Sequence, residues 1–263
     1  MIRSLFCCVC CFVIIAGCDQ AATNEAKSAK LTIAVAASLK PAIDELVADY
    51  ESANPGEEVR VIYGASGTLY AQIKNGAPFD LFLSADTDYP KQIVAAKLAD
   101  ESDLFSYATG RLVVWVHKDS PIDLERLGFA ALLDPSVRKI AIANPKLAPY
   151  GKAAEQAISR AGLIEQVKSR FVLGENIAQT AQYMESGAAE IGLIAQSLAM
   201  TPKMKEKGRT WVVPGDMHEL IVQSGAILAH TKRRDAAKLF RDYLLSANGQ
   251  AILAKQGFAS PVP

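Results

Sequence analysis

No cysteine follows Cys18 in this 263-residue chain; all five, Cys7, Cys8, Cys10, Cys11 and Cys18, fall at its start. A domain built from the remainder therefore has no internal disulfide and no thiolate metal site. Net charge is missing too, with 28 Lys and Arg against 28 Asp and Glu. Without a sequence-wide basic field to gather phosphates, nucleic acid is excluded as the expected partner. The N-terminal apolar run from Leu5 to Ala16 falls short of the about 20 residues that a membrane-spanning helix needs. Phosphate-loop, dinucleotide-binding, H-E-x-x-H and G-x-S-x-G motifs are all absent, which withdraws support from the common motif-bearing enzymes. The three histidines, His117, His218 and His230, are far apart in sequence, and none is paired at metal-ligand spacing. What is present is a chain that is 50% hydrophobic, apolar enough to bury a core and too apolar to be disordered.

Arg3 followed by the short apolar run reads as a secretory signal. Ile15-Ala16-Gly17-Cys18 resembles a bacterial lipobox, which implies a signal peptide at 1–17 and acylation of Cys18. Two or more acyl chains, at about 0.8 kcal/mol per buried methylene, suffice for stable anchoring. The plainer alternative is an ordinary cleaved signal that leaves a free thiol. Asp19 directly after the cysteine, by similarity to enterobacterial lipoproteins, implies retention at the inner membrane on the periplasmic side. Residues 18–30 are polar and small with no apolar period, the composition of a tether.

Folded structure is expected from Leu31. Strands at Leu31–Ala37, Glu58–Tyr63 and Asp80–Ala85 alternate with helices near Pro41–Ala53, Thr68–Asn75 and Tyr89–Ala96. A longer apolar strand, Arg111–His117, opens a second alternation. Its predicted helices lie at Leu124–Leu133, Gly151–Ala161 and Ile177–Ser186, with strands at Lys139–Ala143, Arg170–Leu173 and Glu190–Ala195. Strands at Thr210–Val213 and Leu220–Leu228 and two closing helices, Arg233–Leu245 and Gly249–Lys255, complete the reading. Repeated βα units imply an α/β fold of mostly parallel sheets flanked by helices. Two units are expected, one from 31–110 with 224–263 and one from 111–223, joined by two crossovers.

The chemistry that remains available lies at four strand-to-helix junctions: Ala36-Ala-Ser38-Leu-Lys-Pro41, Gly64-Ala-Ser66-Gly-Thr68, Asn144-Pro-Lys-Leu-Ala-Pro-Tyr150-Gly151 and Gly174-Glu-Asn176-Ile177. Each places free backbone N–H groups at the positive end of a helix, beside hydroxyl or amide groups at several of them. Four such ends facing one cleft would make a charge-free socket for an oxyanion, at the carboxyl ends of the strands where ligands of open α/β sheets bind. Ser38, Ser66 and Asn176 are equally good N-caps, a role worth about 1 kcal/mol that needs no ligand. Pro149 is suited to open a helix.

These residues resemble the periplasmic molybdate-binding proteins of ABC transporters, over nearly the whole span from Leu31 to Pro263. The resemblance is carried by Val35-Ala-Ala-Ser-Leu-Lys-Pro41, Tyr63-Gly-Ala-Ser-Gly-Thr-Leu69, Phe79-Asp-Leu-Phe-Leu-Ser-Ala-Asp86, Ala143-Asn-Pro-Lys-Leu-Ala-Pro-Tyr-Gly151, Gly174-Glu-Asn-Ile177 and Ala189-Glu-Ile-Gly-Leu-Ile194. It implies a type II periplasmic binding protein fold of two lobes, a pair of hinge crossovers, and a tetrahedral dianion held between the lobes by hydrogen bonds alone. It also implies a monomer that needs no cofactor or metal cation, performs no catalysis, and carries molybdate or tungstate to a membrane permease. Carried over residue by residue, the ligand set is Ser38, Ser66, Tyr150 and Ile177, with Ala37 alongside; Tyr150 and Ile177 would donate backbone N–H groups. One departure stands out: many members carry a ligand-contacting tyrosine where this chain has Ala195, and the Tyr150 hydroxyl is the candidate replacement. The competing readings are a binding protein for another oxyanion such as sulfate or phosphate, an exported serine hydrolase using Ser38 or Ser66, and a lipoprotein that docks a protein partner.

Overall fold

The computed structural model describes residues 30–261, so the signal 1–17, Cys18 and all of the tether but Lys30 lie outside the described residues. The first unit runs β1 (Leu31–Ala36), α1 (Lys40–Ala53), β2 (Val59–Gly64), α2 (Ser66–Lys74), β3 (Leu81–Ser84), α3 (Asp88–Ala95) and β4 (Leu104–Gly110). One residue later the chain enters the second unit: β5 (Leu112–His117), α4 (Leu124–Leu127), β6 (Ile140–Ala143), α5 (Pro149–Arg160), α6 (Ile164–Val167), β7 (Phe171–Gly174), α7 (Ile177–Glu185), β8 (Ile191–Ala195), α8 (Gln196–Ala199), α9 (Pro202–Lys207) and β9 (Gly208–Val212). It then returns in β10 (Ile221–Ile227) and ends with α10 (Arg234–Leu245) and α11 (Ala247–Lys255).

Two five-stranded sheets result, ordered β2-β1-β3-β10-β4 and β7-β6-β8-β5-β9, each the centre of one lobe. In both, three strands run parallel and the crossover strand joins them antiparallel, β10 against β3 and β5 against β8. The antiparallel element is the physical trace of a chain that leaves one lobe and later comes back. The strands that the sheets bury on both faces read as continuous apolar runs, as β5 and β8 do. Helices cover them with apolar stripes: α10 turns Ala236, Ala237, Phe240 and Leu244 inward. Phe240 meets Tyr50 of α1 edge to face at 5.1 Å, which seats the C-terminal helices on the first lobe.

The structure departs from the sequence-based expectation in a few places. Strand β4, the outgoing half of the crossover, has the polar and small sequence LFSYATG and no strand-like periodicity, yet it pairs along β10. The helix expected at Leu124–Leu133 breaks after one turn into a 3-10 helix, Gly128–Leu133. Gly128 has φ 51°, a left-handed conformation that ends an α-helix and that glycine adopts at little cost. Helix α5 begins at Pro149 rather than Gly151, because proline's missing N–H and fixed φ suit the first helical turn. The returning strand β10 joins the first sheet from Ile221.

Candidate functional site

Each of the four junctions ends a parallel strand and begins a helix, and the fold points them at one another. Ala37, Ser38 and Ser66 from the first lobe and Tyr150 and Ile177 from the second line a single pocket, and no Lys, Arg, Asp or Glu is among the residues that form it. All five are at least 95% buried. The pocket is small, ≈ 10 Å³, about what one water requires.

The two serines differ in a way that their sequence contexts do not reveal. Ser38 sits in a 3-10 turn, Ala37–Leu39, that leads into α1; it caps neither helix. Its hydroxyl is buried and has no hydrogen-bond partner among the described residues. Ser66 is the first residue of α2, and its side chain does not cap that helix either. Its Oγ accepts the N–H of Ala85 at 3.0 Å, which occupies a lone pair and leaves the hydroxyl proton to donate. Asn176, by contrast, is a true N-cap, its Oδ1 accepting the N–H groups of Ala178 and Gln179, both at 3.0 Å.

On the facing lobe, Pro149 and Tyr150 form the first turn of α5, and Ile177 opens α7. First-turn N–H groups have no intrahelical acceptor, which is the case for Tyr150 and Ile177, both of which line the pocket. The Tyr150 phenol is wholly buried and its Oη has no partner among the described residues. Burial pushes its pKa far above the ordinary tyrosine value, partly offset by the neighbouring Ser38 hydroxyl. The phenol is therefore a protonated donor at any physiological pH. The two orphaned hydroxyls, Ser38 and Tyr150, come from opposite lobes. Ala195 lies buried at the end of β8 and supplies no polar side chain.

Direct contacts draw the lobes together around the pocket. The Gly67 N–H donates to the Leu147 carbonyl at 2.9 Å, and the Ser197 hydroxyl donates to the Ser38 carbonyl at 2.7 Å. Gly67 is required at this approach, since a Cβ there would stand 2.4 Å from the Tyr89 hydroxyl and 3.0 Å from the Leu147 oxygen. At the cleft edge Lys152 bridges Asp88 of the first lobe (3.7 Å) and Glu219 of the return crossover (3.2 Å). Asp86 lies beside them. Burial raises its pKa, against hydrogen bonds from the Tyr89 N–H and the Ser84 hydroxyl. The sequence reading missed Ser197 and Gly110, which touch Ser38 and Tyr150, and Gln223 beside Gly110; the one available signal was the amide inside the apolar run Ile221–Ile227.

Residues 31–259 match the family model described as "Bacterial extracellular solute-binding protein". The molybdate-binding protein ModA of Azotobacter vinelandii is 35% identical over 89% of this chain and 91% of its own. That of Rhodobacter capsulatus is 33% identical over 89% and 90%. Among solved structures, the Azotobacter vinelandii periplasmic molybdate-binding protein superposes with a TM-score of 0.83 at 30% identity, covering 89% of this chain and all of that one.

Proposed function

Because the chain belongs to the bacterial extracellular solute-binding proteins, we propose that it binds molybdate, and tungstate with it, in the pocket between its lobes as the binding component of an ABC transporter. The observation that carries this reading is a wholly uncharged pocket in which two buried hydroxyls from opposite lobes, Ser38 and Tyr150, have no partner among the described residues. Buried polar groups left unpaired are rare in native folds and call for an unseen partner. A tetrahedral dianion supplies acceptors on every side. The donors would be the Ser38 and Ser66 hydroxyls with their neighbouring backbone around Ala37, the Tyr150 and Ile177 N–H groups, and the Tyr150 phenol in place of the tyrosine that Ala195 lacks. At about 1.5 to 3 kcal/mol for each hydrogen bond to a charged acceptor, about six donors cover the roughly 12 kcal/mol of nanomolar binding, part of which dianion desolvation and closure consume.

The moving units are 31–110 with the returning chain, and 111–223 less the three residues by which β10 joins the first sheet from Ile221 ahead of the expected 224–263, hinged where the sheets exchange strands. Acylated Cys18 tethers the monomer to the periplasmic face of the inner membrane, from which it delivers the anion to the permease. Titration calorimetry with molybdate, tungstate, sulfate and phosphate tests the reading. One molybdate or tungstate per chain with far weaker sulfate and phosphate is the expected result; sulfate or phosphate binding as tightly as molybdate would assign the pocket to another anion.

A further inference from the structure

We infer that Gly110 is a positioning residue for this site: the side chain it lacks leaves a notch in the first lobe, and the hydroxyl end of Tyr150, carried by the second lobe, is seated there. The inference rests on the anion-binding reading above. Gly110 is the last residue of β4 before the chain crosses lobes. It is buried and stands opposite Ile221 in the β4–β10 ladder. Its φ lies outside the left-handed region, so the conformation of the backbone does not call for glycine. Glycine inside a paired strand weakens the strand and marks a place that another group approaches closely.

The approaching group is the phenol. A Cβ on Gly110 would lie 2.0 Å from Tyr150 Oη and 3.0 Å from its Cζ, so the tip of the ring fills the space of a side chain. The third neighbour, Gln223 Nε2 at 2.9 Å, is the far end of a flexible side chain and can yield. Tyr150 has little room to do so. It is 1% exposed, and the first turn of α5 that bears it is pinned to β6: a Cβ on the next residue, Gly151, would stand 2.2 Å from the Ala143 carbonyl oxygen. Tyr150 lines the pocket and Gly110 does not, so the notch holds the phenol from outside the pocket. Among the pocket residues from the second lobe, Ala148, Pro149, Tyr150 and Ile177, the tyrosine alone has a polar side chain. A side chain at position 110 therefore displaces the one side-chain donor that this lobe contributes, and the donor reaches its seat only when α5 stands against the first lobe.

The test is a double-mutant cycle read by molybdate calorimetry. Gly110→Ala and Tyr150→Phe should each weaken binding about ten- to 150-fold, because both take the same hydrogen bond from the anion. In the Tyr150→Phe background the oxygen that a Cβ would strike is gone, and Gly110→Ala should weaken binding there by no more than about twofold. Wild-type affinity in Gly110→Ala, or losses that multiply in the double variant, overturns the inference. No molybdate heat from the wild type refutes the anion reading instead. Thermal melts without added anion then test the notch by itself: Gly110→Ala should lower Tm, and adding Tyr150→Phe should raise it again. A strand or hinge that needs glycine for its own backbone would gain nothing from the loss of a phenol oxygen. Gly110→Ala that melts like the wild type, or a double variant that melts no higher than Gly110→Ala, overturns the inference whichever anion binds. Should Gly110→Ala fail to fold, folding restored by Tyr150→Phe supports the notch, and a double variant that also fails to fold overturns it.

Discussion

Replacing each of the two pocket serines by alanine should separate binding from folding, because their hydroxyls are used differently. Ser38 Oγ has no protein partner among the described residues, so Ser38→Ala removes nothing that the ligand-free fold relies on. It relieves a buried unpaired hydroxyl, and the ligand-free melting temperature should stay constant or rise. Ser66 Oγ accepts the Ala85 N–H at 3.0 Å, and Ser66→Ala strands that buried donor at a cost of about 1 to 3 kcal/mol. For a domain of this size the loss corresponds to a fall of about 2 to 12 °C in Tm. Both variants should lose affinity, by about 1.5 to 3 kcal/mol if each hydroxyl donates to the dianion, which is roughly a ten- to 150-fold rise in Kd. Ligand-free thermal melts give the first quantity and titration calorimetry with molybdate the second. An Ser38→Ala variant that binds like wild type, or one that melts as low as Ser66→Ala, would refute the assignment of a free donor at Ser38.

Three further predictions follow from the closed interface and its edge. Gly67→Ala should hold the lobes apart, since its Cβ would crowd the Leu147 oxygen of the facing lobe at 3.0 Å; small-angle scattering with saturating molybdate should then show a larger particle than the wild-type complex, and an identical profile would count against closure at this contact. Tyr150→Pro should bind molybdate much more weakly than Tyr150→Ala, which keeps the backbone N–H, and equal affinities would remove the main-chain donor from the ligand set. Asp86 has a raised pKa through burial, so its contribution to stability is fully present below the unfolded carboxylate pKa and is lost as pH rises through the higher folded value. Asp86→Asn should therefore flatten the decline in Tm as pH rises above about 4, and a decline as steep as in the wild type would show that another group is responsible.

How much of this was legible beforehand depends on the range over which each feature is set. The alternation of apolar strands with amphipathic helices is local, and so are the small and proline residues at the junctions; from these came the two α/β units and the helix N-termini at Ser38, Ser66, Tyr150 and Ile177. Backbone donors at helix starts are a property of helix geometry itself, which is why Ile177 could be named despite its aliphatic side chain. Strand β4 was illegible because its stability comes from pairing with β10, a partner more than a hundred residues away, rather than from its own pattern. The same distance hid the roles of the polar groups. Ser38 and Ser66 are alike as sequence, each a good N-cap, and only the neighbouring strand end at Ala85 makes one an acceptor and leaves the other unpaired. Gly110 acquires meaning only when the crossover brings it against the hydroxyl end of Tyr150. Local chemistry determined which helix ends could hold an oxyanion, whereas the packing of one lobe against the other decided which hydroxyls were left to do it, because a hydrogen bond made across the fold is fixed by positions that no neighbour in the chain controls.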